Sequence, residues 1–116
     1  MTLALYRYQL PFTQPLTFHG KVEVAREGLL VRIGDGWGEI APLPGFSRES
    51  LAEAQTESLA CLAQLARGQT MAPRLPSVQF GLDCARRVWP EQTAALPDPY
   101  PLIQGSPQEL LKNWKQ

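Results

Sequence analysis

The sequence holds one histidine, His19, and two cysteines, Cys61 and Cys84, with no Cys-x-x-Cys pair. Those residues supply no zinc-type ligand cluster. The opening MTLALYRYQLPF lacks the basic-then-apolar layout of a secretory signal. The chain is therefore expected in the reducing cytoplasm, with both cysteines read as small buried hydrophobes rather than as a disulfide. No apolar run approaches the ~20 residues that span a bilayer, so no membrane partner is expected. Charge of neither sign dominates, since 11 Lys and Arg balance 11 Asp and Glu. That balance argues against nucleic acid or an anionic membrane surface, both of which select basic patches.

What is present is a core-forming composition: 44% hydrophobic and 19% charged residues in a chain of 116, enough for one ordinary domain. Eleven prolines punctuate it. Leu3 to Leu10 (LALYRYQL) alternates loosely and is rich in β-formers, predicting a strand stopped by Pro11. Residues Phe12 to Val24 contain Pro15 and Gly20 and read as a loop carrying Phe18, His19 and Lys21. Ala25 to Ile33 ends in a second strand. Gly34-Asp35-Gly36 predicts a tight reversal, with Asp-Gly as its central pair, and Trp37 to Ala41 returns as a third strand. The three form an antiparallel meander, which must bury one face.

Two helices are available to cover it. The first begins at Ser47 or Ser50 and ends near Ala66; Ser50 and Glu53 fit a capping box, and Gly68 is a stop signal. Leu51, Ala54, Ser58, Leu62 and Leu65 form its inward stripe. The second starts near Pro76 or Ser77 and stops by Trp89, because Pro90 follows. Its stripe is Val78, Leu82, Ala85 and Trp89, with Gly81 small enough for close packing. A proline-rich connector follows, then a short strand at Tyr100 to Gln104. Ser106, Pro107 and Glu109 next predict a third helix over Gln108 to Trp114.

The chemistry-bearing residues are few. Glu39 and Asp83 are expected in structural salt bridges or hydrogen bonds, and Trp37, Trp89 and Trp114 in a core or interface. Two readings stay open for Pro42-Leu43-Pro44-Gly45-Phe46. It is an apolar wall over a ligand, or a stiff connector whose Leu43 and Phe46 staple the next helix to the sheet. Phe18 to Lys21 is either the tip of a lid, with Lys21 or His19 meeting a carboxylate, or a solvent loop. Neither His19 nor Lys21 has neighbours in sequence that would tune it as a general base.

The segments YRYQLPF, EGLLVRI, GWGEIAPLPGFSRES, PSVQFGLDCA and PLIQG, in that order and spacing, resemble the N-terminal part of bacterial o-succinylbenzoate synthases, members of the enolase superfamily. GWGEIAPLPGFS is the most specific piece. The resemblance implies an α+β fold: a three-stranded antiparallel meander followed by helices, forming an enolase-like cap over residues 1–96. Residues 97–116 would hold a linker and the first strand and helix of a truncated (β/α) barrel. A strand there without its parallel neighbours leaves unpaired backbone groups, so residues 100–116 are expected either to pair with another chain, as in self-association, or to adopt a non-barrel arrangement.

In such relatives a lysine removes a proton beside a carboxylate, Mg²⁺ stabilises the enediolate, and hydroxide leaves to give o-succinylbenzoate on the path to menaquinone. Their Lys-x-Lys pair and three acidic Mg²⁺ ligands lie on later barrel strands. This chain has only Lys21, Lys112 and Lys115, and KNWK is not Lys-x-Lys. The resemblance therefore implies no catalytic residue and no metal ligand here, and an inactive fragment. Its share in the site would be two cap loops that contact a small-molecule carboxylate substrate: Phe18, His19, Gly20 and Lys21 from the first, and Leu43, Pro44, Gly45 and Phe46 from the second. For Leu43 to Gly45 this favours the wall, while Phe46 keeps both roles. A racemase of N-acylamino acids, a dipeptide epimerase and a stand-alone α+β binding module remain as alternatives.

Overall fold

A computed structural model describes residues 1–18, 20–87, 97–99 and 106–113. Three strands, β1 (Leu3–Phe18), β2 (Lys21–Ile33) and β3 (Gly36–Ile40), form an antiparallel sheet in the order β1-β2-β3. Three helices follow: α1 (Leu51–Ala66), α2 (Pro76–Arg86) and α3 (Pro107–Asn113). The expected α+β meander and its helices are what the chain forms. The expected strand at Tyr100 to Gln104, together with Trp89 and Trp114, lies outside the described residues.

The first hairpin is longer than its prolines suggested. β1 runs through Pro11 and Pro15, and β2 begins at Lys21 instead of Ala25. The register shifts between Pro11 and Leu16, where four residues of β1 stand against one of β2, Val24. Proline is tolerated because β1 is an edge strand, with one side that never needs a ladder donor. Residues 10–18 and 20–25 thus form a two-stranded arm rather than a loop. The second hairpin turns on Gly34-Asp35, not Asp35-Gly36, since Ile33 pairs with Gly36. Gly34 has φ 63°, the positive value that primed hairpin turns require at their first central residue.

One sheet face carries Leu29, Val31, Ile33 and Ile40, and it is covered by Ala54, Cys61 and Leu62 of α1 and by Val78, Leu82 and Ala85 of α2. Cys61 is buried and Cys84 half-buried, with no disulfide between them. β3 and α2 meet backbone to backbone. A methyl group at Gly36 would strike the Ala85 carbonyl, and one at Gly38 the Gly81 carbonyl. A methyl at Gly81 would in turn lie 2.8 Å from the Glu39 carbonyl oxygen. Trp37 is not in this core. It lies half-exposed on the sheet face opposite α1 and α2, stacked on Tyr6 at 5.9 Å between centroids and capped by Arg32 at 5.5 Å.

Both helix ends of α1 follow local rules. Ser50 is the N-cap, and the Ser50–Glu53 capping box is complete. At the other end Gly68, with φ 74°, donates to the Leu65 carbonyl and Gln69 to the Gln64 carbonyl, a Schellman closure. α2 has no side-chain cap of its own. Its start is held from α1 and the loop before it: Glu57 accepts from the Arg74 and Leu75 N–H groups, and Glu49 from the Ser77 N–H and Oγ.

Candidate functional site

The β3–α1 connection is a built turn rather than slack chain. Pro42 is buried and Leu43 half-buried, while Pro44, Gly45 and Phe46 are exposed. The Leu43 carbonyl accepts from the Phe46 N–H at 3.0 Å and the Ser47 N–H at 2.9 Å. Ser47 Oγ in turn accepts from the Leu43 N–H at 2.9 Å. Gly45 has φ 75°, which a side chain would strain, so glycine is required at the apex. Ser47 therefore closes the loop and does not cap the helix, which settles the choice between Ser47 and Ser50.

Both flanks of this loop are concave. On one side an open cleft of about 380 Å³ is lined by Glu27, Pro42, Pro44, Gly45 and Leu51. On the other a cleft of about 510 Å³ is lined by Arg26, Glu39, Phe46, Pro76 and Phe80. Arg48 and Glu49 border both. Phe46 is 73% exposed and Phe80 66%, so the second cleft presents aromatic surface to solvent. A purely structural staple would bury its ring.

Charge around the loop is arranged by three contacts. Arg26 Nη2 donates to the Ala41 carbonyl at 2.6 Å and its Nη1 to the Pro42 carbonyl at 3.1 Å. Tyr8 Oη donates to Glu39 Oε2 at 2.5 Å, reaching across Gly28, its cross-strand partner, which lacks a side chain to block it. Burial, and then that bond to the carboxylate, push the Tyr8 hydroxyl up to about 12. Glu39 is thus structural, as its place on a cap strand predicted. Glu49 is held below the usual carboxylate range, chiefly by the Ser77 backbone N–H. Asp83 is exposed on α2, and no bond from it to a loop occurs among the described residues.

The other expected contact segment falls at the end of the arm. Phe18 ends β1 opposite Lys21, which opens β2 and is exposed, and Gly20 has φ 78° in the turn between them. His19 lies outside the described residues. Sequence reading missed Arg26, Glu49 and Arg48. Arg26 and Glu49 act on partners 15 to 28 residues away, beyond any local pattern. Among the described residues no group of three or more His, Cys, Asp or Glu side chains is placed to hold a metal ion. Those residues do not fit Mg²⁺, and no catalytic step through it is assigned to them. No helix among them is long and apolar enough to cross a membrane.

Residues 1–89 match the family model described as MenC, N-terminal domain. The o-succinylbenzoate synthase of Citrobacter koseri is 39% identical over 116 residues, covering 92% of this chain and 35% of that protein. The o-succinylbenzoate synthase of Pectobacterium atrosepticum is 40% identical over 117 residues, covering 95% and 36%. The crystal structure of o-succinylbenzoate synthase from Thermosynechococcus elongatus BP-1, complexed with Mg in the active site, superposes with a TM-score of 0.64 at 26% identity. It covers 99% of this chain and 38% of that one. The chain thus spans 35% to 38% of the length of these relatives. With its meander, its two helices and its proline-stiffened β3–α1 loop, the chain belongs to the MenC N-terminal domain family, the N-terminal domain of o-succinylbenzoate synthases.

Proposed function

We propose that this chain is the substrate-capping domain of an o-succinylbenzoate synthase, an enzyme that dehydrates a cyclohexadiene carboxylate to o-succinylbenzoate. The observation that carries the reading is the β3–α1 loop of a MenC N-terminal domain: a stiff, self-closed apolar turn with clefts on both sides. Two prolines fix their φ angles, so little entropy is lost when such a wall closes over a ring. The substrate-facing residues are Leu43, Pro44, Gly45 and Phe46 from the loop and Phe18, His19, Gly20 and Lys21 from the arm tip. Their work is to exclude water and orient the ring, which strengthens the electrostatics at a reacting centre. Residues 1–96 form the cap and residues 97–116 begin the barrel domain. The base and the Mg²⁺ ligands belong to barrel strands outside this chain, and the 116 residues alone are inactive.

Two assays test this. The 116-residue chain, supplied with Mg²⁺ and the cyclohexadiene carboxylate, is expected to give no turnover; robust turnover would overturn the placement of the chemistry. A chimera in which residues 1–96 replace the matching region of the Pectobacterium atrosepticum enzyme is expected to turn over. In it, Leu43→Asp is expected to raise KM. A folded, active chimera whose KM ignores Leu43→Asp would refute the wall.

A further inference from the structure

The loop's own hydrogen bonds make it a closed unit, so its direction depends on where its first two residues are fixed. β3 ends at Ile40, and the next carbonyls, those of Ala41 and Pro42, lie past the strand. Arg26 takes both, at 2.6 and 3.1 Å, with two nitrogens of one guanidinium. A planar fork on consecutive carbonyls sets the orientation of the peptide as well as its position, which a single-point donor cannot do.

The place of Arg26 in the sheet gives this bond a second consequence. Arg26 pairs with Leu10, next to the Pro11–Ala25 pair after which the register jumps. It therefore stands at the root of the arm. On the body side Tyr8 crosses Gly28 to Glu39, one residue before Ile40 ends β3. The arm carries one set of proposed substrate contacts and the loop carries the other.

We propose that Arg26 is the positioning residue of the cap: from the root of the arm it fixes the direction of the Pro42–Phe46 wall, so that the two cap segments keep one relative geometry. The loop's role as a substrate wall rests on the function proposed above; the clamp itself does not.

The test compares Arg26→Lys and Arg26→Met in the 116-residue chain by amide hydrogen exchange. Lysine keeps the charge and the stem but cannot fork, and it preserves a readable fold if methionine does not. Exchange at the Leu43 amide, which shares a peptide plane with the Pro42 carbonyl, is expected to accelerate about tenfold in Arg26→Met, as for loss of a charged hydrogen bond, and by a smaller factor in Arg26→Lys. The Leu29 and Val31 amides in the sheet are expected to keep their protection. Loop exchange that stays within about twofold of wild type in Arg26→Lys overturns the clamp, as does equal loss of protection in loop and sheet. In the chimera, Arg26→Lys is expected to raise KM with kcat retained. Faster loop exchange with an unchanged KM would leave the clamp standing and overturn the capping reading instead.

Discussion

Removing the Glu49 carboxylate should loosen α2 from the loop, in a way that depends on pH. Glu49 Oε2 accepts from the Ser77 N–H at 3.0 Å and from Ser77 Oγ at 2.9 Å, and the residue is only 7% exposed. It substitutes for the N-cap that Leu75 cannot provide. A hydrogen bond to a charged group contributes about 1.5–3 kcal/mol. Both bonds share one oxygen, and Glu49 borders both open clefts, so sharing and solvent screening hold the pair to about the worth of one such bond. Glu49→Ala is expected to cost about 2–3 kcal/mol. Glu49→Gln keeps a neutral acceptor, roughly half as strong, and should cost about 1–1.5 kcal/mol. At about 2.1 cal/mol/K per residue for a chain of 116, each kcal/mol lowers Tm by about 4 °C.

The sign of the pH effect follows from the direction of the shift. The folded carboxylate titrates below its ordinary value of 4.5. Its contribution is therefore fully present above the unfolded value and fades as pH falls from there through the lower folded value. Glutamine has no such proton to take up. Denaturant unfolding from about pH 7 down to about pH 3 should show the gap between wild type and Glu49→Gln widest near neutrality and closing below about pH 4.5. A gap that stays constant across that range, or that widens in acid, refutes the argument.

Gly38→Ala places a methyl group against the backbone carbonyl of Gly81, which cannot rotate away, so it should cost about 3 kcal/mol or more by thermal denaturation. Gly68→Ala, whose methyl meets nothing within 4 Å, should cost only about 1–2 kcal/mol, from its φ of 74°. Equal losses for the two would undo the claim of backbone contact between β3 and α2. The absorbance titration of wild type minus that of Tyr8→Phe should isolate a phenol near 12. Glu39→Gln should bring that transition down only part of the way, since burial, the larger cause, remains; a full return to 10.0 would contradict it.

Much of this structure is written in short stretches of sequence because its causes are short-range. The capping box at Ser50 and Glu53, the glycine stop at Gly68 and the proline start of α2 each involve residues within six positions of one another. The greasy loop before α1 also announced itself by composition, and the family resemblance gave it a use.

Only the folded chain decided the rest. Pro11 and Pro15 look like strand breakers along the sequence, yet an edge strand has a side that needs no donors, so the arm continues through them. Gly81 and Ala85 announce a close approach without saying to what; the partners, Gly36 and Gly38, appear when α2 lies across β3. Glu49 and Glu57 reach the start of α2 across 28 and 17 residues, and Arg26 reaches the loop across 15 and 16. A side chain's distant partner depends on how elements pack, and packing is a property of the whole chain. Sequence alone thus determined the centres of the strands and helices and that an apolar loop stands before α1; tertiary structure decided how far β1 and β2 extend and what holds that loop in place.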